Sequence, residues 1–279
     1  MATESSATRG LTKIGWYVVL TVLAALVLFP LYLTFVRALS DPGTYASSNS
    51  PLHPVATTWN SFSDAFRIGG LGSAFVVSVV VCVLTVAIQL LTSTLAAYAF
   101  VFLNFPFKRL LFTLCIASLL LPMEVTLLAN VSTIQSLNWV SSYQGLVLPY
   151  AATGFGIFLL RQGFAGIPRE VRDAAQLDGH GHLRFLFRFA VPLTRPVVAS
   201  FVLISALTAW GNYLWPRLIT VDDAHRTLPL ALAGLARSGP QHANVSAAGV
   251  LLAIAPIWIL LVVFQRQMVA GLTAGAVKG

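Results

Sequence analysis

Charge is scarce in this chain of 279 residues: 9% are Asp, Glu, Lys or Arg, against 57% hydrophobic. Soluble domains carry about 25% charged residues, so a water-facing globule is excluded, and the mean hydropathy of +0.81 agrees. The two cysteines, Cys82 and Cys115, sit inside apolar runs as small hydrophobes, so there is no disulfide framework. Lysine occurs only at 13, 108 and 278, after Thr, Phe and Val. A phosphate-holding P-loop needs a Gly-Lys pair; the chain has no Walker A, and ATP-driven work here requires another chain. The five histidines are scattered. His180 and His182 are two apart and do not share a helical face, which argues against zinc. Spacing reveals no Ser/His/Asp or Cys/His arrangement. No catalytic residue, metal ligand or cofactor is assigned, and the chain is not read as an enzyme.

What is present is apolar sequence in long uncharged runs. Crossing a bilayer takes about 20 apolar residues in a helix. Such windows are Ile14 to Val36, the charge-free stretch within Gly69 to Phe107, Leu110 to about Ala129 interrupted by Glu124, Gly145 to Leu160, Val197 to Trp215, and Val245 to Phe264. Barrel strands alternate in and out over about ten residues, and runs such as FVVSVVVCVLTVAIQLL do not. The first window is too long for a signal peptide and lacks a small-residue cleavage site. The expected fold is an all-α integral membrane protein of about six transmembrane helices.

Lys and Arg fix the orientation. With both ends on one side, only Arg37, Arg67, Arg217, Arg226 and Arg237 fall on the other, leaving 12 of the 17 with the termini. The termini are therefore expected to be cytoplasmic, and the net charge of +8 reflects topology without invoking nucleic acid. Residues 1–13 read as a cytoplasmic tail, 14–269 as one transmembrane domain with a cytoplasmic loop at 163–195, and 270–279 as a second tail. The external segment from Arg37 to about Gly70 is rich in Ser, Pro and Thr with an amphipathic piece near Trp59 to Phe66. Another, Thr220 to Asn244, carries Asp222, Asp223 and the turn signal SGP.

One basic, glycine-punctuated island interrupts the apolar pattern: DAAQLDGHGHLRFLFRFAVPL, Asp173 to Leu193. Pro168 with Glu170 and Asp173 reads as a helix start. Gly179 and Gly181 then break the helix, and Leu183 to Phe189 forms a second short one that Pro192 and Pro196 end. Exposed Ala174 and Ala175 would let a partner's groove approach closely. Asp173-Ala174-Ala175, Gly179, Phe189, Val191 and Pro192 resemble the signature cytoplasmic loop of permease subunits of bacterial ABC importers, Glu-Ala-Ala, then Gly, then Ile, any residue, Leu-Pro. Asp replaces Glu, and Phe and Val replace Ile and Leu. The positive-inside rule alone explains the arginines, but not Ala-Ala, Gly and Pro at that spacing.

The resemblance extends through LFPLYLTFVRAL, AAYAFVFLNFPFKRLLF, LLPMEVTLLANVSTIQSLNWVSSYQGLVLPY, WGNYLWPRLI and FQRQMVAGLTAGAVKG. These look like the carbohydrate-type branch that includes the maltose permeases. LPMEV, YQGLVLP, FLLRQGF and NYLWP are most similar to the second permease subunit of glycerol-3-phosphate and glycerophosphodiester importers. The resemblance implies the type I ABC importer fold in a bacterial cytoplasmic membrane and a coupling role for Asp173, Ala174, Ala175, Gly179 and Pro192. It implies a second permease subunit, two ATPase subunits carrying ATP and Mg, and an extracytoplasmic binding protein. Candidates for the substrate path are Glu124 after Pro122, Asn130, and Asn212, Tyr213 and Trp215. Glu124 disfavours a bare phosphate anion and is compatible with a choline-bearing diester. The alternatives are a di- or oligosaccharide substrate, and an ATPase-independent secondary transporter or channel; the latter usually shows repeats and several intramembrane charges.

Overall fold

The computed structural model describes the backbone of residues 6–49, 51–68 and 70–273, and the side chains there except at 6–12, 123–124, 240 and 266–273. Described residues form helices and no strand. In chain order they are α1 Ser6–Ala38, α2 Pro42–Ser47, α3 Asn60–Arg67, α4 Leu71–Phe102, α5 Lys108–Ala117, α6 Met123–Ser136, α7 Tyr143–Val147 and α8 Gly154–Ala165. There follow α9 Arg169–Leu177, α10 His182–Phe185, α11 Val191–Leu193, α12 Arg195–Trp210, α13 Leu214–Ile219, α14 Leu228–Arg237 and α15 Ala243–Thr273.

Three unbroken helical stretches are long and apolar enough to cross a membrane: Lys13–Ala38, Leu71–Phe102 and Ala243–Gln265. Three more arise if each bent pair counts as one span, with bends of 103° between α5 and α6, 51° between Tyr150 and α8, and 85° between α11 and α12. The described residues thus offer up to six spans, as expected, but half are broken. The expected window Val197 to Trp215 is interrupted after Trp210, and its bent pair begins instead in the basic island at His182. Pro122 explains the first break, because it has no N–H to donate and starts α6 afresh. At the third, Pro192 does not terminate the helical stretch His182–Leu193, the return helix, as expected but lies within it. A π-turn over Leu186–Ala190, closed by Val191 N–H on Leu186 O, precedes the ring. The chain turns at Thr194, whose hydroxyl donates to Ala190 O at 2.8 Å.

The chain divides into two compact units, residues 1–71 with 232–252, and 72–231 with 253–279. In the first, α1 is exposed on every side from Ile14 to Phe29, which suits a helix solvated by hydrocarbon. Its end is fastened by the buried Asn244, whose Nδ2 donates to Arg37 O and Ser40 O, both at 2.9 Å. Asp41 caps α2, accepting from the Thr44 amide and hydroxyl at 2.9 Å each. These two bonds hold its carboxyl below the ordinary range. α3 is the amphipathic piece expected near Trp59 to Phe66.

The second unit has two cores. One gathers Phe102, Leu160, Phe164, Phe185, Leu186 and Phe201; the other gathers Val77, Val81, Ile134, Leu146, Trp215 and Ile219. Small residues permit the first. A Cβ on Gly156 of α8 would lie 2.4 Å from Ser93 Oγ of α4 and 2.6 Å from the Phe201 ring of α12. Three helices therefore meet at one glycine, as membrane helices do where small residues let backbones approach.

In the loop after α13, Asp222 accepts from the His225 backbone amide at 3.0 Å, and its carboxylate lies 3.1 Å from the ring Nδ1. Burial raises the Asp222 carboxyl, but the bonds from His225 outweigh it, so the group sits below its ordinary value. A depressed carboxyl contributes loop stability above the unfolded-state value and loses it as pH falls through the folded one. Protease cleavage of this loop is accordingly expected to be unchanged from pH 8 to 5 and to rise below pH ~4. Asp222→Asn is expected to show the raised cleavage at all pH values; equal cleavage of variant and wild type at pH 7 would contradict this.

Candidate functional site

Two constellations in the second unit bear on function. The first is a polar seam among apolar helices. Ser78, Thr85 and Gln89 recur at seven and four residues along α4, so they share one face. Gln89 is its centre: Nε2 donates to Tyr150 O at 2.8 Å, and Oε1 accepts from the Ser205 hydroxyl of α12 at 2.7 Å. Tyr150 and Asn212 line the same cavity as Gln89. Asn212 lies in the gap between α12 and α13, where Gly211 caps the first helix. Trp215 is fully enclosed and donates its Nε1–H to Gly145 O at 3.0 Å, and Trp210 donates to Ala253 O at 3.1 Å.

The seam encloses a cavity of about 40 Å³. A water molecule fits, whereas small-ligand sites run to about 300–1,000 Å³. This conformation of the single chain therefore holds no substrate; a path here must be completed by opening of the helices or by a facing surface.

Of the residues expected on the path, Asn212 and Trp215 line this cavity. Tyr213 does not: its hydroxyl accepts from Arg217, whose guanidinium also sits over its ring. Asn130, half-buried on α6, is not among the lining residues, and the Glu124 side chain lies outside the described residues. Sequence reading missed Gln89, Ser205 and Tyr150. Their signal was the polar face of Ser78, Thr85 and Gln89 in a run otherwise apolar enough to read as featureless lipid-facing helix.

The second constellation is the basic island. α9 carries Asp173, Ala174 and Ala175, and its end is a glycine cap. Gly179 has φ +75°, its N–H bonds Gln176 O at 3.0 Å, and the His180 N–H bonds Ala175 O at 2.9 Å. Those two bonds satisfy the last carbonyls of the helix in the Schellman manner, and a left-handed residue is what that geometry requires. Asp173 and Ala174 are exposed and Leu177 is 90% exposed. Ala175 is not exposed as the sequence suggested. It is buried in the core with Phe185, Leu186 and Ala190, so its smallness serves close packing of α9 on the return helix. The same packing accounts for the two histidines: His182 Nδ1 meets the Tyr98 hydroxyl at 2.9 Å, and the His180 ring lies tilted against Phe189 with centroids 5.3 Å apart. Pro192 lies on the return helix, half-buried.

α9 is thus an exposed helix closed by a glycine cap. A family model described as "Binding-protein-dependent transport system inner membrane component" matches residues 89–272, which take in the basic island and the seam from Gln89 onward but not Ser78 and Thr85. The chain belongs to this family of ABC importer permeases.

The permease is 34% identical over 275 residues to the sn-glycerol-3-phosphate transport system permease protein of Yersinia pestis bv. Antiqua (strain Antiqua), covering 95% of this chain and 96% of the relative. It is 31% identical over 261 residues to an arabinooligosaccharides transport system permease protein of Halalkalibacterium halodurans, covering 92% and 93%. Among solved structures, it matches a chain of a bacterial ABC transporter involved in the import of the acidic polysaccharide alginate. The TM-score is 0.83 at 19% identity, covering 95% of the permease and 99% of that chain. The permease is thus a carbohydrate-type ABC importer subunit with the all-α type I fold, and its multiple spans make it an integral membrane protein.

Proposed function

We propose that this permease carries glycerol-3-phosphate or a glycerophosphodiester such as glycerophosphocholine inward, with a second permease enclosing the path. One ATP-binding subunit docks on the 163–195 loop and another on the corresponding loop of the second permease, both from the cytoplasm, where both termini also lie, and an extracytoplasmic binding protein delivers the substrate. The reading rests above all on the exposed, glycine-capped helix bearing Asp173, Ala174 and Gly179, with identity over nearly the whole chain to glycerol-3-phosphate permeases supporting the substrate. ATP-driven closure of the ATPase pair pulls α9. Because α9 is packed through Ala175 on the return helix that leads into α12, the pull reaches Ser205 and Asn212 at the seam and switches the cavity between inward and outward access. Asn212 and Tyr150 would meet substrate hydroxyls, while Trp215 holds the wall.

The arabinooligosaccharide relatives favour a second reading, the same machine with a di- or oligosaccharide as cargo. Reconstitution of the complete complex in vesicles separates the two. ATP-dependent uptake of glycerophosphocholine or glycerol-3-phosphate, with no uptake of maltose or trehalose, is expected; uptake of sugar alone would overturn the substrate. Flux driven by an ion gradient with no ATPase present would overturn the transport class.

A further inference from the structure

Between the end of α4, the start of α5, the end of α8 and α9 lies a cleft of about 750 Å³. Lys108, Arg109, Arg161, Arg169 and Arg172 converge on it, with Asp173 as the only carboxylate in its lining. Among the described residues none of the five cations has an ion-pair partner within 4.0 Å. Instead Arg161 lies 4.2 Å over the Phe112 ring and Arg172 5.7 Å over the Phe102 ring, and Lys108 Nζ donates to the carbonyl of Leu103, just past the end of α4, at 2.7 Å. Aromatic faces and a helix C-terminus thus hold three of the cations, Lys108, Arg161 and Arg172, in place without neutralising them. The positive-inside rule asks only that cations lie on this side; it does not require them to surround one concavity.

We propose that this cleft binds the phosphate of an anionic membrane phospholipid, a function separate from transport of cargo. Phosphate chemistry fits because planar guanidiniums backed by rings offer paired donors to phosphate oxygens. A membrane lipid fits better than an acidic protein segment because exposed apolar surface adjoins the cleft. Leu110, Leu111 and Leu114 continue from the cleft along α5 as exposed apolar surface on a spanning segment, where acyl chains would lie. Basic pockets between helices at this level suit lipid head groups.

The test is binding to the purified full chain after removal of native lipid, read by native mass spectrometry in mild detergent with phosphatidylglycerol, phosphatidylcholine or inorganic phosphate added. Phosphatidylglycerol is expected to be retained in preference to phosphatidylcholine, and millimolar inorganic phosphate is expected not to displace it. Arg161→Gln with Arg172→Gln is expected to weaken retention about thirtyfold, and Arg109→Gln alone, at the exposed rim, about fivefold. Removing the same charge outside the cleft, with Arg184→Gln and Arg188→Gln, is expected to change retention less than twofold. Equal retention of the two lipids, equal loss in the control pair, or displacement by free phosphate would each overturn the proposal. The single rim variant keeps the test decisive should the double variant fail to fold. The measurement uses no ATP, cargo or partner, so its failure would leave the transport reading standing.

Discussion

Gly156→Leu is expected to leave no recoverable folded chain. A Cβ there would sit 2.6 Å from two ring atoms of Phe201, which is fully enclosed and has no space to yield, and 2.4 Å from Ser93 Oγ. Over-packing a well-filled site costs about 1–3 kcal/mol, occasionally more, and here the extra atoms push apart α4, α8 and α12 together. Gly156→Ala should therefore survive with a lowered melting temperature and Gly156→Leu should not. Phe201→Leu, which empties part of the contested space, is expected to restore part of the stability of Gly156→Ala. Monodisperse wild-type yield of Gly156→Leu would show that the three-helix contact is not as close as described.

Gln89→Leu is expected to strike function harder than folding. The substitution keeps volume but removes both bonds of the seam, leaving the Tyr150 carbonyl and the Ser205 hydroxyl without their partner. An unsatisfied buried polar group costs about 1–3 kcal/mol, a tolerable loss for the bundle. The same bonds hold Tyr150 and α12 in register beside Asn212, so transport in reconstituted vesicles is expected to fall by at least about tenfold, while Gln89→Asn retains intermediate activity. Full transport by Gln89→Leu would remove the seam from the mechanism.

Why some of this was legible from composition and some was not has physical causes. Apolar length along one segment is a local property, so the spans and the amphipathic helix near Trp59 could be read directly. The breaks were only half legible. Pro122 announces one, but the turn at Thr194 depends on a π-turn and a hydroxyl bond, and Pro192 looked like a terminator because a sequence does not show that the preceding turn is wide enough for its ring. α14 was hidden because its apolar run is shorter than a span and follows charged turn residues. The island's end was legible, since Gly at a left-handed cap leaves a local signature. The burial of Ala175 was not, because it depends on Phe185, Leu186 and Ala190 folding back. The seam was least legible of all: Gln89 finds its partners 61 and 116 residues away, and no local pattern encodes that pairing.

The docking role of α9 is tested most directly by co-purification. Tagged wild-type permease, extracted in mild detergent from cells making the complete system, is expected to bring down an ATP-binding subunit and a second permease with measurable ATPase activity. Leu177→Asp places a charge on the most exposed apolar side chain of α9 without touching the core, and burial of one Leu contributes about 1.5–3 kcal/mol. It should reduce recovery of the ATP-binding subunit at least about tenfold and leave the second permease bound. Gly179→Val, which strains the left-handed cap by about 1–2 kcal/mol, should do the same more weakly. Wild type that purifies alone, or Leu177→Asp that retains its full complement of ATPase, would contradict the account and leave α9 as an ordinary basic helix at the membrane surface.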